Sequence, residues 1–154
     1  LGLILAQNPE LLILDDFSLG LDPGYRRLFV DYLRDYARSE NKTVFLTSHI
    51  IQDMERLIDD CIIMDYGSIL IQQPIETLMK ELRRYTCTVP EGYQPQLPAT
   101  CYHPAVIRQT LETYSFLPLV DVEKLLKESQ VPFTGLQHEN VSLEDAFIGL
   151  TGKY

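Results

Sequence analysis

Three carboxylates and one histidine stand where chemistry could be done. Asp15 and Asp16 directly follow four aliphatic residues, Leu11, Leu12, Ile13 and Leu14. Asp22 precedes Pro23, and His49 comes two residues after the β-rich run Thr43-Val44-Phe45-Leu46-Thr47. An open parallel sheet presents its functional groups at the carboxyl ends of its strands, so acids and an imidazole there could hold a metal, face a phosphate or handle an attacking water. An isolated Asp-Asp pair is more often a solvated acidic turn. The order of the surrounding parts decides between the two.

Residues 11–14 lack period-two alternation and read as a short strand buried on both faces. Residues 1–6 look like the end of a helix already under way, stopped by Asn8-Pro9. The expectation is therefore that the N-terminal part of a longer protein precedes Leu1. Asp22-Pro23 suits a helix N-cap followed by proline in the first turn. The helix it starts should pack through Tyr25, Leu28, Phe29, Tyr32, Leu33 and Tyr36, which recur at three- and four-residue steps, while Arg26, Arg27, Asp31 and Arg34 face water. Residues 43–47 are a second strand, and Ile50, Ile51, Met54, Leu57 and Ile58 repeat at helical spacing. A third strand, Cys61-Ile62-Ile63-Met64-Asp65, can turn at Tyr66-Gly67 into residues 68–72 as an antiparallel margin, and a helix over 75–84 follows Pro74. Strand, helix, strand, helix implies a parallel sheet with right-handed crossovers.

Composition shifts after Arg84. A strand over 85–89 leads into a loop carrying Pro90, Gly92, Pro95 and Pro98, which excludes regular structure there. Extended runs around 105–107 and 111–116 precede a helix over 120–128, which Val131-Pro132 ends. Residues 133–137 return as a strand, and Ser142 with Asp145 three residues on starts a last helix over 143–150 in the manner of a capping box. The expected fold class is α/β: the C-terminal part of a P-loop-type parallel sheet in 1–84, then a small α/β (α+β) appendage in 85–154.

With 154 residues, 45% of them hydrophobic, the chain can bury a sizeable core. Its formal charge of −9, from 22 acids against 13 Lys and Arg, argues against a general nucleic-acid binder. Cys61, Cys87 and Cys101 are widely spaced and form no C-x-x-C pair, so reduced thiols are the default. Apolar runs fall far short of the roughly 20 residues that a membrane helix needs. The sequons at Asn41 and Asn140 read as chance matches.

Leu11-Leu12-Ile13-Leu14-Asp15-Asp16, then Ser18-Leu19-Gly20-Leu21-Asp22-Pro23, then Thr47-Ser48-His49 resemble the Walker B strand, D-loop and switch histidine of ATP-binding cassette (ABC) ATPases, in that family's order and approximate spacing. Asp65-Tyr66-Gly67-Ser68-Ile69 is similar to the family's next strand pair. More weakly, Ser142-Leu143-Glu144-Asp145-Ala146-Phe147 and Leu150-Thr151-Gly152 are similar to the tail of its drug-exporter branch. The resemblance implies a role for each residue. Asp15 would hold Mg²⁺ through water. Asp16 would take the place of the catalytic glutamate that orients or deprotonates the attacking water. His49 would reach the γ-phosphate and that water, and Asp22 would contact the opposing subunit. ATP and Mg²⁺ are the implied cofactors of the parent protein. A membrane-spanning permease and a second ATPase subunit are its implied partners, and the inner face of the cell membrane is its implied place.

Two departures qualify this. Asp16 is one methylene shorter than the usual glutamate, and Phe17 stands where proline is usual. The eight glycines never fall in the pattern G-x-x-x-x-G-K-[ST], so the phosphate-cradling loop is absent, and so is the Gly-rich signature motif. The resemblance thus implies the C-terminal half of an exporter's ATPase subunit, which alone should neither bind nor hydrolyse ATP appreciably. Apolar sheet edges left uncovered should drive self-association. The alternatives are a non-enzymatic interaction module whose residues 85–154 mediate dimerisation or regulation, and a cassette ATPase of DNA repair or translation.

Overall fold

Leu11–Asp15 forms strand β1 and Thr43–Thr47 forms strand β2. They pair in parallel, Leu12 opposite Val44 and Asp15 opposite Thr47. The computed structural model describes residues 2–52 and 54–152, in two compact units, Leu1–Ile58 and Asp59–Tyr154. In the first unit a short helix, α1 (Gly2–Ala6), precedes β1, and α2 (Pro23–Ser39) connects the two strands. Leu12, Leu14 and Leu33 are buried together, with Leu5, Phe29, Tyr36, Val44, Leu46 and Leu57 packed around them.

This core lies on one face of the sheet only. Leu11, Ile13 and Phe45 are 52%, 70% and 54% exposed, so β1 is not buried on both faces as its aliphatic run suggested. The reason is layering: the helical residues of this unit that pack on β1 meet Leu12 and Leu14, and strand alternation turns Leu11 and Ile13 the other way. Helix α2 also buries a narrower stripe than its periodicity implies. Val30 and Leu33 are buried, while Tyr25, Leu28 and Tyr32 stand 68%, 66% and 54% exposed. Of the helix expected over 50–58, in which residue 53 lies outside the described residues, the described residues show a 3-10 turn, Met54–Arg56, which suffices to bury Met54. A segment this short, opened by the β-branched pair Ile50-Ile51, is a poor helix nucleus.

In the second unit β3 (Asp60–Asp65) and β4 (Ser68–Pro74) form the expected hairpin. Tyr66 and Gly67 turn it with φ of +44° and +78°, as a two-residue turn of the I′ kind requires. Among the described residues this hairpin forms a two-stranded sheet of its own, where a margin to the parallel sheet was expected. Helix α3 (Ile75–Glu81) stops three residues before Arg84, because Leu82 is extended and Arg83 already starts β5 (Arg83–Thr88). Strands β6 (Tyr102–Ile107), β7 (Thr110–Ser115) and β8 (Thr134–Asn140) join β5 in an antiparallel sheet of order β6-β7-β5-β8. Helices α4 (Leu119–Glu128) and α5 (Leu143–Thr151) accompany it. Val122 and Leu126 of α4 close the core over Tyr85, Cys87 and Leu111. Ser142 and Asp145 make the capping box expected of them, Ser142 Oγ accepting from the Asp145 N–H at 3.1 Å. The class is mixed α/β, with one parallel and two antiparallel sheets among the described residues.

Candidate functional site

The parallel register of β1 and β2 brings two strand ends together. Thr47 Oγ1 donates a short hydrogen bond to Asp15 Oδ1. The Asp16 N–H donates to the Thr47 carbonyl at 3.1 Å and approaches Thr47 Oγ1 at 3.2 Å. Asp16 sits at φ +44°, a left-handed backbone that Asp tolerates better than most residues. Its carbonyl accepts from the Leu19 N–H at 2.9 Å, closing the turn that leaves the strand. The kink sends the two neighbouring carboxylates to different partners, Asp15 to Thr47 and Asp16 to His49.

His49 meets Asp16 twice. Its Nδ1 lies 2.8 Å from Asp16 Oδ1, and its backbone N–H donates to the same oxygen at 3.2 Å. Ser48 turns the chain into this position, its Oγ accepting from the Ile50 N–H at 3.0 Å. The hydrogen bond from the His49 ring holds the Asp16 carboxyl below its ordinary pKa, partly offset by desolvation, with the His49 backbone N–H and the ring's charge adding to the lowering. Asp16 is therefore a carboxylate at neutral pH. An ionised Asp16 accepts from a proton on His49 Nδ1, which leaves Nε2 as the ring nitrogen not engaged by Asp16.

Asp22 does different work. Its Oδ1 accepts from the N–H groups of Gly24 at 2.9 Å and Tyr25 at 3.2 Å, so it is the N-cap of α2. Among the described residues no hydrogen bond links it to the other three. The structure thus brings Asp15, Asp16 and His49 into one cluster and leaves Asp22 at the head of the helix. Thr47, which touches both acids, was not singled out from the sequence; its signal is its place at the end of the strand paired with β1. No group of three or more His, Cys, Asp or Glu side chains forms a metal cage among the described residues. Mg²⁺ does not need one, because it is commonly held by one or two carboxylates with waters and substrate phosphates. Two adjacent carboxyl groups, with one Asp15 oxygen engaged by Thr47, fit that donor chemistry.

These features define a mixed α/β protein with an acidic strand-end site, a description that many unrelated functions share. Comparison with known proteins is more specific. No protein-family model matches the chain. It is 33% identical over 160 residues to the Nod factor export ATP-binding protein I of Ralstonia nicotianae, covering 97% of the chain and 49% of that protein. Its counterpart in Burkholderia orbicola is 29% identical over the same shares. The energy-coupling factor transporter ATP-binding protein EcfA2 of Clostridioides difficile is 41% identical over 66 residues, 43% of the chain and 23% of that protein. The chain belongs to the ATP-binding proteins of ABC transporters. It spans about half the length, or less, of these relatives.

Proposed function

We propose that the protein carrying this sequence is the ATP-binding subunit of an ABC exporter, and that residues 1–84 hold its water-activating and magnesium-facing groups. The cluster of Asp15, Thr47, Asp16 and His49 at the ends of two parallel strands carries this reading. Bound Mg-ATP would supply the phosphoanhydride and offset the charge on its β and γ phosphates. Asp15 offers its remaining oxygen to the hydrated metal. Asp16 commits Oδ1 to His49 and leaves Oδ2 to orient a water. His49 is held with Nε2 free to meet the γ-phosphate region. Asp22 fixes the head of α2, from which the loop over 17–21 faces an opposing subunit.

Export is supported by matches to two export proteins that take in 97% of the chain. A division into a nucleotide-handling part, 1–84, and a regulatory or dimerising part, 85–154, rests on the change of composition after Arg84. The subunit would work at the cytoplasmic face of the membrane with a permease and a second copy. Consistent with a peripheral place, no described helix is long and apolar enough to cross a membrane.

ATPase rates of the full protein test the assignment. Asp16→Asn should lower turnover by about a hundredfold or more, the usual worth of a positioned acid-base group, while Asp16→Glu keeps or raises it. Equal rates for all three would end the catalytic role of Asp16. A second reading, a non-enzymatic module, is favoured by the short Asp16 side chain and its double engagement by His49. An inactive native protein that Asp16→Glu fails to waken would select it. The 154-residue chain alone should show no calorimetric binding of Mg-ATP tighter than about millimolar, since the phosphate loop is absent. It should also self-associate in light scattering through Leu11, Ile13 and Phe45, and a monodisperse monomer would refute that.

A further inference from the structure

The second unit carries an open groove of about 530 Å³, comparable in volume to small-molecule sites. It lies where α3 runs into β5 and β7 runs into α4. Tyr85 is part of its lining, 2% exposed, with its hydroxyl donating to the Leu117 carbonyl at 2.5 Å and its ring stacked on His138 at 5.8 Å. Phe116 and Leu119 add apolar surface, and Lys80 and Arg83 bring two cations against the single carboxylate of Glu81. That balance is notable in a protein of formal charge −9.

Two neighbouring arginines show how the site differs from ordinary surface. Arg84 is neutralised by Glu139, its Nε donating to Oε1 at 2.8 Å. Arg83 instead spends Nη1 on two carbonyls, Met79 at 3.2 Å and Leu82 at 2.8 Å. Among the described residues neither Arg83 nor Lys80 has a carboxylate within ion-pair distance. With Nη1 tethered, the Nε–Nη2 edge of a fixed guanidinium remains, the edge that takes a carboxylate in two parallel hydrogen bonds.

The geometry points to a binding site for an aromatic carboxylate, its ring against Phe116 and Leu119 and its anion on Arg83 and Lys80. The site belongs to the second unit and does not depend on the nucleotide chemistry proposed above.

Titration of the ¹⁵N-labelled chain with 2-naphthoate tests it. Amides at 80–85 and 116–119 should shift saturably, and the neutral analogue 2-naphthalenemethanol should bind at least about tenfold more weakly. Lys80→Gln should weaken naphthoate several-fold, and Arg83→Lys, which keeps the charge and removes the fork, by about tenfold. Because Arg83 also tethers backbone, Lys80→Gln, at an exposed position of α3, is the variant that leaves folding intact. Equal binding of the alcohol, unchanged affinity in Lys80→Gln, or no saturable shift up to about 10 mM would each overturn the proposal.

Discussion

Gly149 lies inside α5, where two general effects oppose each other. Replacing a helix-interior glycine by alanine usually stabilises by about 1 kcal/mol, because glycine loses more backbone freedom on folding. Here a Cβ at 149 would fall 2.4 Å from both Cγ and Cδ1 of Tyr114 and 2.8 Å from Cδ2, against the ring itself. Ordinary carbon contacts begin near 3.5 Å, so the ring or the helix would have to retreat by about 1 Å. Neither is free to do so. Tyr114 is 5% exposed and sits on β7 between two partners, opposite Arg84 on one side and Tyr102 on the other. Its hydroxyl is further tied to Glu112 at 3.2 Å. Overpacking of a tight core costs about 1–3 kcal/mol, and a clash this deep belongs at the upper end. Steric cost therefore wins, and Gly149→Ala should destabilise by roughly 2 kcal/mol, lowering Tm by about 5–10 °C. Thermal unfolding followed by circular dichroism reads this directly. In a Tyr114→Leu background the same substitution should cost far less, since the opposing ring is gone. A Gly149→Ala protein as stable as the native one, or an equal cost in both backgrounds, would refute the close approach of α5 to β7.

Three further outcomes follow from the caps, the charge pair and the buried thiols. Asp22→Ala removes the acceptor for two N–H groups at the head of α2 and should cost about 1 kcal/mol, read as a lower urea midpoint with an unchanged slope; an unmoved midpoint would count against the cap. The hydrogen bond to His49 holds the folded-state pKa of Asp16 below its ordinary value, so the stability from that bond is present above the ordinary carboxylate pKa and is lost as pH falls through the lowered one. A carbon-detected titration of the Asp16 carboxyl should show a depressed midpoint that rises in His49→Ala, and an ordinary midpoint in the native chain would sink the pairing. Burial raises the thiols of Cys61, Cys87 and Cys101, so a disulfide-exchange reagent at neutral pH should modify them slowly until denaturant is added. Rapid reaction of all three in the folded chain would show that they are not buried.

What could be read in advance was local. Asp22-Pro23, Tyr66-Gly67 and Ser142 with Asp145 each act through bonds to residues at most three positions away, and each takes its expected form. The extended runs over 105–107 and 111–116 also emerge as strands, since β-branched and aromatic residues between turn residues leave few alternatives. What failed depends on layers. An aliphatic run such as 11–14 is compatible with one buried face or two, and the count of covering layers decides. The stripe of α2 was likewise ambiguous, because Tyr25, Leu28 and Tyr32 share helical spacing with Phe29, Leu33 and Tyr36 and only the packing partner selects between them. At the site, the acids and His49 could be named from their positions at strand ends, but their partners could not. The bridge from Thr47 to Asp15 depends on strand register, and the pairing of Asp16 with His49 depends on a positive φ that the sequence permits without demanding.

That register is itself a product of burial, which links the core to the chemistry. Leu12 and Leu14 face the core with Val44 and Leu46 packed beside them, and the direct pairs are Leu12 with Val44 and Leu14 with Leu46. A one-residue slip of β2 would turn Val44 and Leu46 outward and bring Phe45 in. It would also place Leu46 or Ser48 opposite Asp15, and the Thr47 bridge would be lost. The aliphatic pairs therefore set the position of the site as well as the stability of the sheet. Alternation then adds a constraint: Asp15 and Thr47 have the parity of Leu11, Ile13 and Phe45, so the first carboxylate belongs to the uncovered face. A protein layer laid over those three apolar residues would border Asp15 and change its access to water. In the function proposed here, the exposed apolar face and the acidic strand end act together, because one surface must supply both the contact and the phosphates.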